Sequence, residues 1–581
     1  DTSNFTFPDT TLPANYASYP DLPPGKTVLV PYPIPMTSDT LPEPPPASYT
    51  TGTVTETNKV FPAEGTYIGP VTTNIVKSGP PADRTRYTYQ KIIYSWNDTG
   101  YKTNYYDHVI EVGGSYKASS LDGKKVLVQA PGVTLVLPNG LTLLVHEDHK
   151  APIVAVNIWY HVGSKNEKRG RTGFAHLFEH LMFQGSANVA SGEHFSALMG
   201  VGGRLNATTW FDRTNYFQTV PKGALDLALW LEADRQGRLL DALTQENLDN
   251  QRDVVKEEKR QRYDNAPYGH AMRDVYATLF PEGHPYHHPT IGSMEDLEAA
   301  TLEDVHAFYC THYGPNNTVL TLVGDVSPED GFAAVEKYFG PLPPTAVARQ
   351  EGRMPPLAPL AGPVRLERSE PVPNDRLYIA FRLPADATPE FHAVGLAMDA
   401  IGGLSSSRLV EHLVRQERLV TGLTAHPLGF AGGVSLGLIS ADISAGVDPA
   451  DVERAICAEL ERFAETGPTD IEMESAVAET ERAWLSALAS HDDRADNISH
   501  YAALHDDAAY INTFLAQVRA VTVAEVRAAA ARYLQPSSRA VVAYLTSPAA
   551  HGEVGDAGPD SAAVAQAVAA VQGEAADEEL S

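Results

Sequence analysis

The 581-residue sequence has few cysteines, few basic residues for its length and no long apolar run. Its two cysteines, Cys310 and Cys457, lie far apart, which excludes a disulfide framework and a cysteine-based zinc site. No run approaches the about 18 consecutive apolar residues of a membrane-spanning helix, so we expect none. Lysine and arginine number 44 against 73 acidic residues, a net charge of −29. This excludes a nucleic-acid partner, because basic side chains must neutralise phosphate.

Residues 1–125 are rich in proline, threonine and tyrosine. Proline lacks the N–H donor and fixes φ, so segments such as "DLPPGKTVLVPYPIPM" cannot continue a helix. From about Tyr87 to Tyr116 the sequence becomes β-like, and we expect an extended, partly β-structured N-terminal extension. The sequence starts at Asp1 without a methionine, and together with this composition it favours an extracytoplasmic location, periplasmic or secreted.

Residues 132–345 show alternating strand and helix signals. The stretch "VTLVLPNGLTLLVHED" predicts a hairpin about Pro138-Asn139-Gly140, and "APIVAVNIWYHVGS" predicts a buried strand after it. The following text predicts helices over 171–184, 222–240, 245–263 and 301–313, and "TVLTLVGDV" predicts a closing strand.

Residues 363–547 repeat this pattern. The segments that start at Thr301 and Thr522 each have a threonine N-cap with an acid three residues later, which is typical of a capping box. Each then gives an amphipathic helix, a proline (Pro315 or Pro536) and a buried strand. The sequence therefore predicts two copies of one mixed α/β half.

Two segments of biased composition flank the second copy. The proline-rich residues 346–362 predict a linker between the copies. Residues 548–581 are rich in alanine and acids, which is typical of a disordered tail.

The stretch "RTGFAHLFEHLMFQGS", residues 171–186, carries the clearest chemistry. On a helix, His176 and His180 face the same way because positions i and i+4 share a side. Glu179 lies beside them and can take a proton from a water on a metal ion. The other interpretation is two ordinary histidines on a core helix, since the chain has 20 histidines, so the motif needs its context.

That context resembles the pitrilysin family of zinc metallopeptidases, which carry the inverted zinc motif His-x-x-Glu-His. The resemblance covers about residues 132–547 and is closest to the short bacterial members and the mitochondrial processing peptidase. It is carried by "GFAHLFEHLMFQGS", "GGRLNATTWFDRTNYFQTVP", "NQRDVVKEEKRQRYDNAPYGHA", "HPYHHPTIGSMEDL" and the duplication. It implies an α+β fold class with two homologous mixed α/β halves.

The resemblance also implies one zinc ion per chain. His176 and His180 would be zinc ligands and Glu179 the general base. The third ligand would be a glutamate in "RDVVKEEKR", where the family pattern favours Glu258 and leaves Glu257 as the alternative. Adjacent helix residues point about 100° apart, so only one of the two can bind the ion.

Two further implications concern the surroundings of the zinc. Relatives usually carry a glutamate seven residues before the third ligand, where this sequence has Gln251, whose amide can donate to Glu258 but adds no charge. "GGRLNATTWF" predicts an exposed strand that pairs with the peptide substrate, with Asn206 and Ala207 facing it. The alternative is an ordinary edge strand.

The second half lacks the zinc motif. In relatives this half provides an arginine and a tyrosine seven residues apart, but here Arg415 is followed at that distance by Gly422. We therefore expect a homologous partner chain to supply the Arg/Tyr pair, in a heterodimer with a chain that lacks the zinc motif, or in a homodimer.

The remaining histidines have simpler interpretations. His284, His287 and His288 lie between prolines, which indicates a loop rather than a second metal site. Three others are predicted to be surface or packing residues: His161, His194 and His270. The resulting hypothesis is a zinc endopeptidase that acts on peptides or unfolded segments inside a clam-shell chamber. The alternative is a non-catalytic structural or binding subunit of the same fold.

Overall fold

The computed structural model describes residues 65–69, 92–97, 100–105, 126–129, 132–345, 354 and 357–547. Within these ranges the chain forms two compact units. One contains the described residues up to Val156 together with 220–229 and 320–342, and the other contains 157–219, 230–319 and the described residues from Pro343. Most of the predicted N-terminal extension, most of the linker and the whole tail lie outside the described residues.

The strands in the described ranges are short segments. They are β1 (Gly65–Gly69), β2 (Ile92–Asn97), β3 (Gly100–Tyr105), β4 (Val126–Gln129), β5 (Gly132–Val136), β6 (Thr142–Glu147), β7 (Ile153–Tyr160), β8 (Arg204–Thr209), β9 (Thr214–Pro221), β10 (Thr318–Gly324), β11 (Val364–Glu370), β12 (Arg376–Pro384), β13 (Val420–Leu428), β14 (Val434–Ile443) and β15 (Ala540–Thr546).

The α helices lie between these strands and after them. They are α1 (Phe174–Leu181), α2 (Glu193–Gly200), α3 (Leu225–Arg238), α4 (Gln245–Lys259), α5 (Ala271–Leu279), α6 (Met294–Glu298), α7 (Leu302–His312), α8 (Pro328–Phe339), α9 (Pro389–Met398), α10 (Pro449–Thr466), α11 (Asp470–Ala487), α12 (His491–Leu504), α13 (Tyr510–Ala520) and α14 (Val523–Tyr533). No helix in the described part of the chain is long and apolar enough to cross a bilayer.

The strands form three sheets. A small antiparallel sheet has the order β1-β2-β3, a seven-stranded sheet has the order β4-β5-β6-β10-β7-β9-β8, and a five-stranded sheet has the order β11-β15-β12-β14-β13. In the five-stranded sheet β11 and β15 pair in parallel and the other neighbours are antiparallel. The mixed α/β architecture that the sequence predicts is confirmed.

The local signals in the sequence correspond to observed elements. The hairpin joins β5 to β6, and Gly140 has a φ of 92°, a conformation that favours glycine. The predicted capping boxes at Thr301 and Thr522 are both formed, on α7 and α14. Each helix is followed by a one-turn 3₁₀ helix that starts at Pro315 or Pro536 and then by a buried strand.

Helix α5 attaches to the five-stranded sheet through one continuous core. Its apolar side chains, among them Val275 and Leu279, pack with residues of β12, β14 and β15 such as Tyr378 and Leu436. At the polar side of this contact lies Asp274, which is 2% exposed. Its carboxylate accepts hydrogen bonds from Arg368 at 2.7 and 3.1 Å and from the hydroxyl of Tyr544 at 3.1 Å.

We expect Asp274→Asn to lower the free energy of unfolding by about 1–3 kcal/mol, because hydrogen bonds to a charged group are lost at a buried position. Burial acts to raise the pKa of Asp274, but hydrogen bonds from Arg368 and Arg273 outweigh it and lower that pKa. The contribution is therefore complete above the unfolded carboxyl pKa, about 3.9, and is lost as pH falls through the lower folded pKa. Urea denaturation at several pH values measures both effects.

Asp226→Asn is the matched control. Asp226 pairs with Lys337 at 3.2 Å, but the two side chains are 68% and 61% exposed, so solvent screens the pair and it contributes little to stability. Equal losses of stability in the two variants would contradict the role given to Asp274.

Candidate metal centre

Helix α1 divides its residues between a core face and an open face. Phe174, Leu177, Phe178 and Leu181 are buried, at the spacing i, i+3, i+4 and i+7. The ring of Phe178 stacks on aromatic rings of the segment formed by α7 and the residue after it, with centroids 5.1 Å from Phe308 and from Tyr313. His176 and His180 lie on the other side of the helix and are therefore turned out of this core.

The N-terminus of α1 is fixed in place by backbone and side-chain contacts. Gly173 precedes the helix with a φ of 90°, and a Cβ there would lie 2.7 Å from the carbonyl oxygen of Ile291, so only glycine fits. The buried carboxylate of Glu167 accepts the N–H groups of Gly173 at 3.0 Å and Ala175 at 2.8 Å. It binds donors that the first turn leaves unpaired, and so fixes the direction of the helix.

Helix α4 presents the third residue of the cluster. Its buried residues Leu248, Gln251 and Val255 form one stripe, and Glu258 continues that stripe one turn further. Glu257 points elsewhere: it is exposed and bonds to Arg260 at 3.0 Å and Gln261 at 3.1 Å.

The packing of α4 against α1 brings Glu258 to the two histidines. Its Oε2 lies 3.6 Å from Nε2 of His176 and 3.4 Å from Nε2 of His180. The two imidazole rings meet edge to face with centroids 4.9 Å apart. All three side chains are 13–23% exposed, so water can reach a largely buried cluster.

The three groups influence one another strongly. Burial acts to raise the pKa of Glu258, but the imidazoles and Arg262 outweigh it and lower that pKa to about 2. Burial lowers the pKa of His176, and the opposing effect of the nearby Glu258 charge offsets this lowering only in part. For His180 burial also acts downward, but its hydrogen bond and charge contact with Glu258 prevail and raise the pKa. A stable carboxylate therefore faces two imidazoles.

The donor set fits a zinc ion. Two imidazole nitrogens and one carboxylate oxygen are a set of ligands that catalytic zinc uses, with a fourth position left open. A tetrahedral ion with bonds of about 2.0–2.1 Å holds its ligand atoms about 3.3–3.4 Å apart, close to the 3.4 and 3.6 Å seen here. Nδ1 of His176 is buried and has no hydrogen-bond partner in the described ranges, so packing rather than a second hydrogen bond orients that ring.

Two neighbours orient the cluster. Nη1 of Arg262 lies 3.0 Å from Oε1 of Glu258, which leaves Oε2 to face the histidines. Gln251 is buried and lies close enough to His180 to help raise the pKa of that ring. Donation from its amide to Glu258 stays a prediction.

Glu179 lies on α1 between the two histidines, and its charge reaches both rings. Its Oε2 accepts a hydrogen bond of 2.5 Å from the hydroxyl of Thr209, the last residue of β8. The hydroxyl holds the carboxylate in one orientation at the end of this strand.

Strand β8 is the last strand of the seven-stranded sheet, so one of its edges pairs with β9 and no strand of the described chain pairs with the other. Asn206 is exposed, whereas the side chain of Ala207 is only 7% exposed. The Oδ1 of Asn206 accepts the N–H of Ala207 at 2.9 Å. A peptide on this edge would therefore meet the backbone rather than the side chain at Ala207.

The other candidates of the sequence lie in ordinary surroundings. His284, His287 and His288 are in the loop between α5 and α6, as predicted, and His194 is buried against Phe183. Arg415 is 54% exposed and pairs with Glu411 of the same helical segment at 3.0 Å.

Sequence reasoning missed Thr209 and Arg262 as residues that hold the site. Both belong to segments quoted for the family resemblance, but neither residue type suggests a role without the fold.

The chain is similar to known proteins of one peptidase family. The family model described as "Insulinase (Peptidase family M16)" matches residues 142–292, and that of the "Peptidase M16 inactive domain" matches residues 299–480. The zinc protease PqqE of Helicobacter pylori is 30% identical over 404 residues, which cover 67% of this chain and 86% of that protein.

Two further relatives extend the likeness. A protein of Schizosaccharomyces pombe named "Probable mitochondrial-processing peptidase subunit beta" is 27% identical over 274 residues, 46% of this chain and 58% of that protein. The crystal structure of a protease from Helicobacter pylori superposes with a TM-score of 0.66 at 26% identity and covers 73% of this chain and 99% of that one.

The placement of the two glutamates gives a direct test. We expect Glu258→Gln to remove one bound zinc ion per chain after dialysis against a weak chelator, because a neutral amide replaces the charged ligand. Glu257→Gln is the control one residue away and should leave the zinc content unchanged, because its side chain bonds to Arg260. Metal analysis of both variants measures this, and loss of zinc from the Glu257 variant alone would reverse the assignment.

Proposed function

This chain belongs to peptidase family M16, and on that premise we propose that it is a zinc-dependent endopeptidase that hydrolyses peptides or unfolded protein segments. The observation that supports this most strongly is the convergence of His176, His180 and Glu258, with Glu179 held beside them by Thr209. The relatives named as zinc proteases support the same assignment.

Each residue of the proposed site has a separate role. The zinc would be held by His176, His180 and Glu258. When bound, it polarises the scissile carbonyl and lowers the pKa of a water molecule to about 7. Glu179 takes the proton of the attacking water and returns it to the leaving amine. Thr209 keeps the Glu179 carboxylate aimed for this transfer, and the free edge of β8 binds the peptide as an added strand.

A non-catalytic role is the second candidate. Residues 299–480 match a domain that is described as inactive, which supports a role without catalysis. In such a subunit the zinc cluster would bind metal without hydrolysing peptides.

We expect Glu179→Gln to lower the hydrolysis of a mixed library of short unstructured peptides by at least about 100-fold, because a general base contributes about 100- to 10,000-fold. The zinc content should stay unchanged, because Glu179 is not among the three metal-binding residues. Mass spectrometry of the digests and metal analysis of the same samples measure the two quantities.

The two candidates give different results in this assay. Equal activity in the parent chain and the variant would contradict the role of Glu179 as base. A zinc-loaded parent chain that cleaves no peptide in any assembly state would favour the non-catalytic subunit.

The oxyanion that forms when water attacks the peptide carbonyl is stabilised by hydrogen-bond donors. Arg415 is exposed and position 422 is a glycine, so these two positions do not provide the Arg/Tyr pair of the relatives. Loss of one oxyanion donor typically costs about 100- to 1000-fold in rate. We therefore propose that a homologous partner chain supplies the pair and closes a clam-shell chamber, most simply as a heterodimer with a chain that lacks the zinc motif.

We expect peptidase activity in the native source to elute from a sizing column well above the 62.7 kDa of one chain. Arg415→Ala should leave the activity of that assembly within about threefold, because an exposed i,i+4 pair contributes little. Full activity in the single-chain fraction would refute the need for a partner, and a large loss in the Arg415 variant would favour a homodimer that uses this arginine.

A further inference from the structure

A second cluster of two histidines and one carboxylate lies where the segment after β12 meets the end of α12. Nε2 of His500 lies 3.2 Å and Nε2 of His505 3.3 Å from one oxygen, Oδ2 of Asp386. In the described ranges, this cluster and the one at His176 are the two places where three such ligand atoms lie within 4.8 Å of one another. We propose that Asp386, His500 and His505 form a second divalent-metal site that binds zinc.

The distances suit an ion as well as direct hydrogen bonds, of which the one between His500 and Asp386 is formed at 3.2 Å. A charge-assisted hydrogen bond between nitrogen and oxygen is about 2.7–2.9 Å long, whereas the ligand atoms of tetrahedral zinc lie about 3.3–3.4 Å apart. Nε2 of His505 is buried and makes no well-directed hydrogen bond in the described structure. His149 shows the contrast, because its two ring nitrogens contact Asp325 and Glu147 at 2.5 and 2.6 Å.

The carboxylate is fixed before any ion binds. Asp386 follows the end of β12, its Oδ1 accepts the N–H of Ala387 at 2.7 Å, and its own N–H donates to the carbonyl of Phe430 at 3.2 Å. A Cβ at Gly429 would lie 2.8 Å from Cγ of Asp386, so the glycine leaves room for the carboxylate. These contacts leave Oδ2 to face the two imidazoles.

The histidines lie at the C-terminal end of α12. His500 is in its last turns, and His505 follows the helix and donates its N–H to the carbonyl of Tyr501 at 3.1 Å. The unpaired carbonyls at a helix C-terminus carry partial negative charge and favour a cation. The side chains of Asp386, His500 and His505 are 16%, 29% and 15% exposed, so an ion can enter and water can complete its coordination.

Imidazole ligands select transition metals over calcium and magnesium. Two histidines and one carboxylate leave a fourth position for water, as in many zinc sites. The ion at this site would tie the segment after β12 to the end of α12. It therefore adds a structural clamp to the proposed peptidase and is independent of the catalytic residues.

The clamp would act on a helix that also contacts strands β7 and β9 of the seven-stranded sheet. One turn before His500, Oδ1 of Asp496 accepts hydrogen bonds from Asn157 and Trp159 on β7, both at 3.1 Å, and from Asn215 on β9 at 3.0 Å. An ion that fixes the end of α12 therefore stabilises this whole contact, and binding to the folded state raises the unfolding temperature.

The test counts zinc in the full chain after metal removal, reloading with excess zinc and dialysis. We expect two ions per chain in the parent protein, one in His505→Gln, one in His176→Gln and none in the double variant. Glutamine keeps the approximate size and a polar end, and circular dichroism checks the fold. Zinc should also raise the thermal midpoint of the His176→Gln variant, where only the second site remains.

Other outcomes overturn the proposal. One ion in the parent protein that is lost in His176→Gln but kept in His505→Gln would show that Asp386 only pairs with two histidines. If His505→Gln does not fold, His176→Gln decides alone, because it retains one ion when the second site exists and none when it does not. Cobalt in place of zinc gives a second readout, with the visible absorption of tetrahedral cobalt expected in His176→Gln.

Discussion

The geometry of the metal centre depends on how the apolar face of α1 packs. Phe178 is enclosed by the aromatic rings of Phe308 and Tyr313, and Glu167 holds the start of the same helix. A helix fixed at its start and along one face has no freedom to rotate. The opposite face, with His176 and His180, is then fixed in direction by a core that has no part in the chemistry.

Around this helix, other elements add one group each. Helix α4 brings Glu258 to the histidines, and the end of β8 brings Thr209 to Glu179. The guanidinium of Arg262 selects which oxygen of Glu258 faces the cluster. The site is thus built from three elements, and the charge of its carboxylate is stabilised by the groups it binds rather than by solvent.

The two histidine clusters have a similar arrangement of ligand atoms. In each, two histidines from one helix or its end meet a carboxylate from a separate element, and the nitrogen-to-oxygen distances lie between 3.2 and 3.6 Å. The pair in α1 is four residues apart, a spacing that places both histidines on one side of a helix. His500 and His505 are five residues apart with one beyond the helix end, and their carboxylate is more than a hundred residues earlier in the chain. No local pattern in the sequence marks such a cluster.

Local structure follows directly from the sequence, because it depends on neighbouring residues. Asn139-Gly140 specifies the hairpin, Thr301 and Thr522 specify their capping boxes, and the apolar spacing of α1 leaves His176 and His180 on one side. The family pattern also favoured Glu258 over Glu257. What these residues contact depends on the packing of distant elements. Packing brought Glu258 to the two histidines of α1 and joined Asp386 to two distant histidines. The physical reason is that such contacts depend on how helices and strands pack, and packing joins residues that no short stretch of sequence contains.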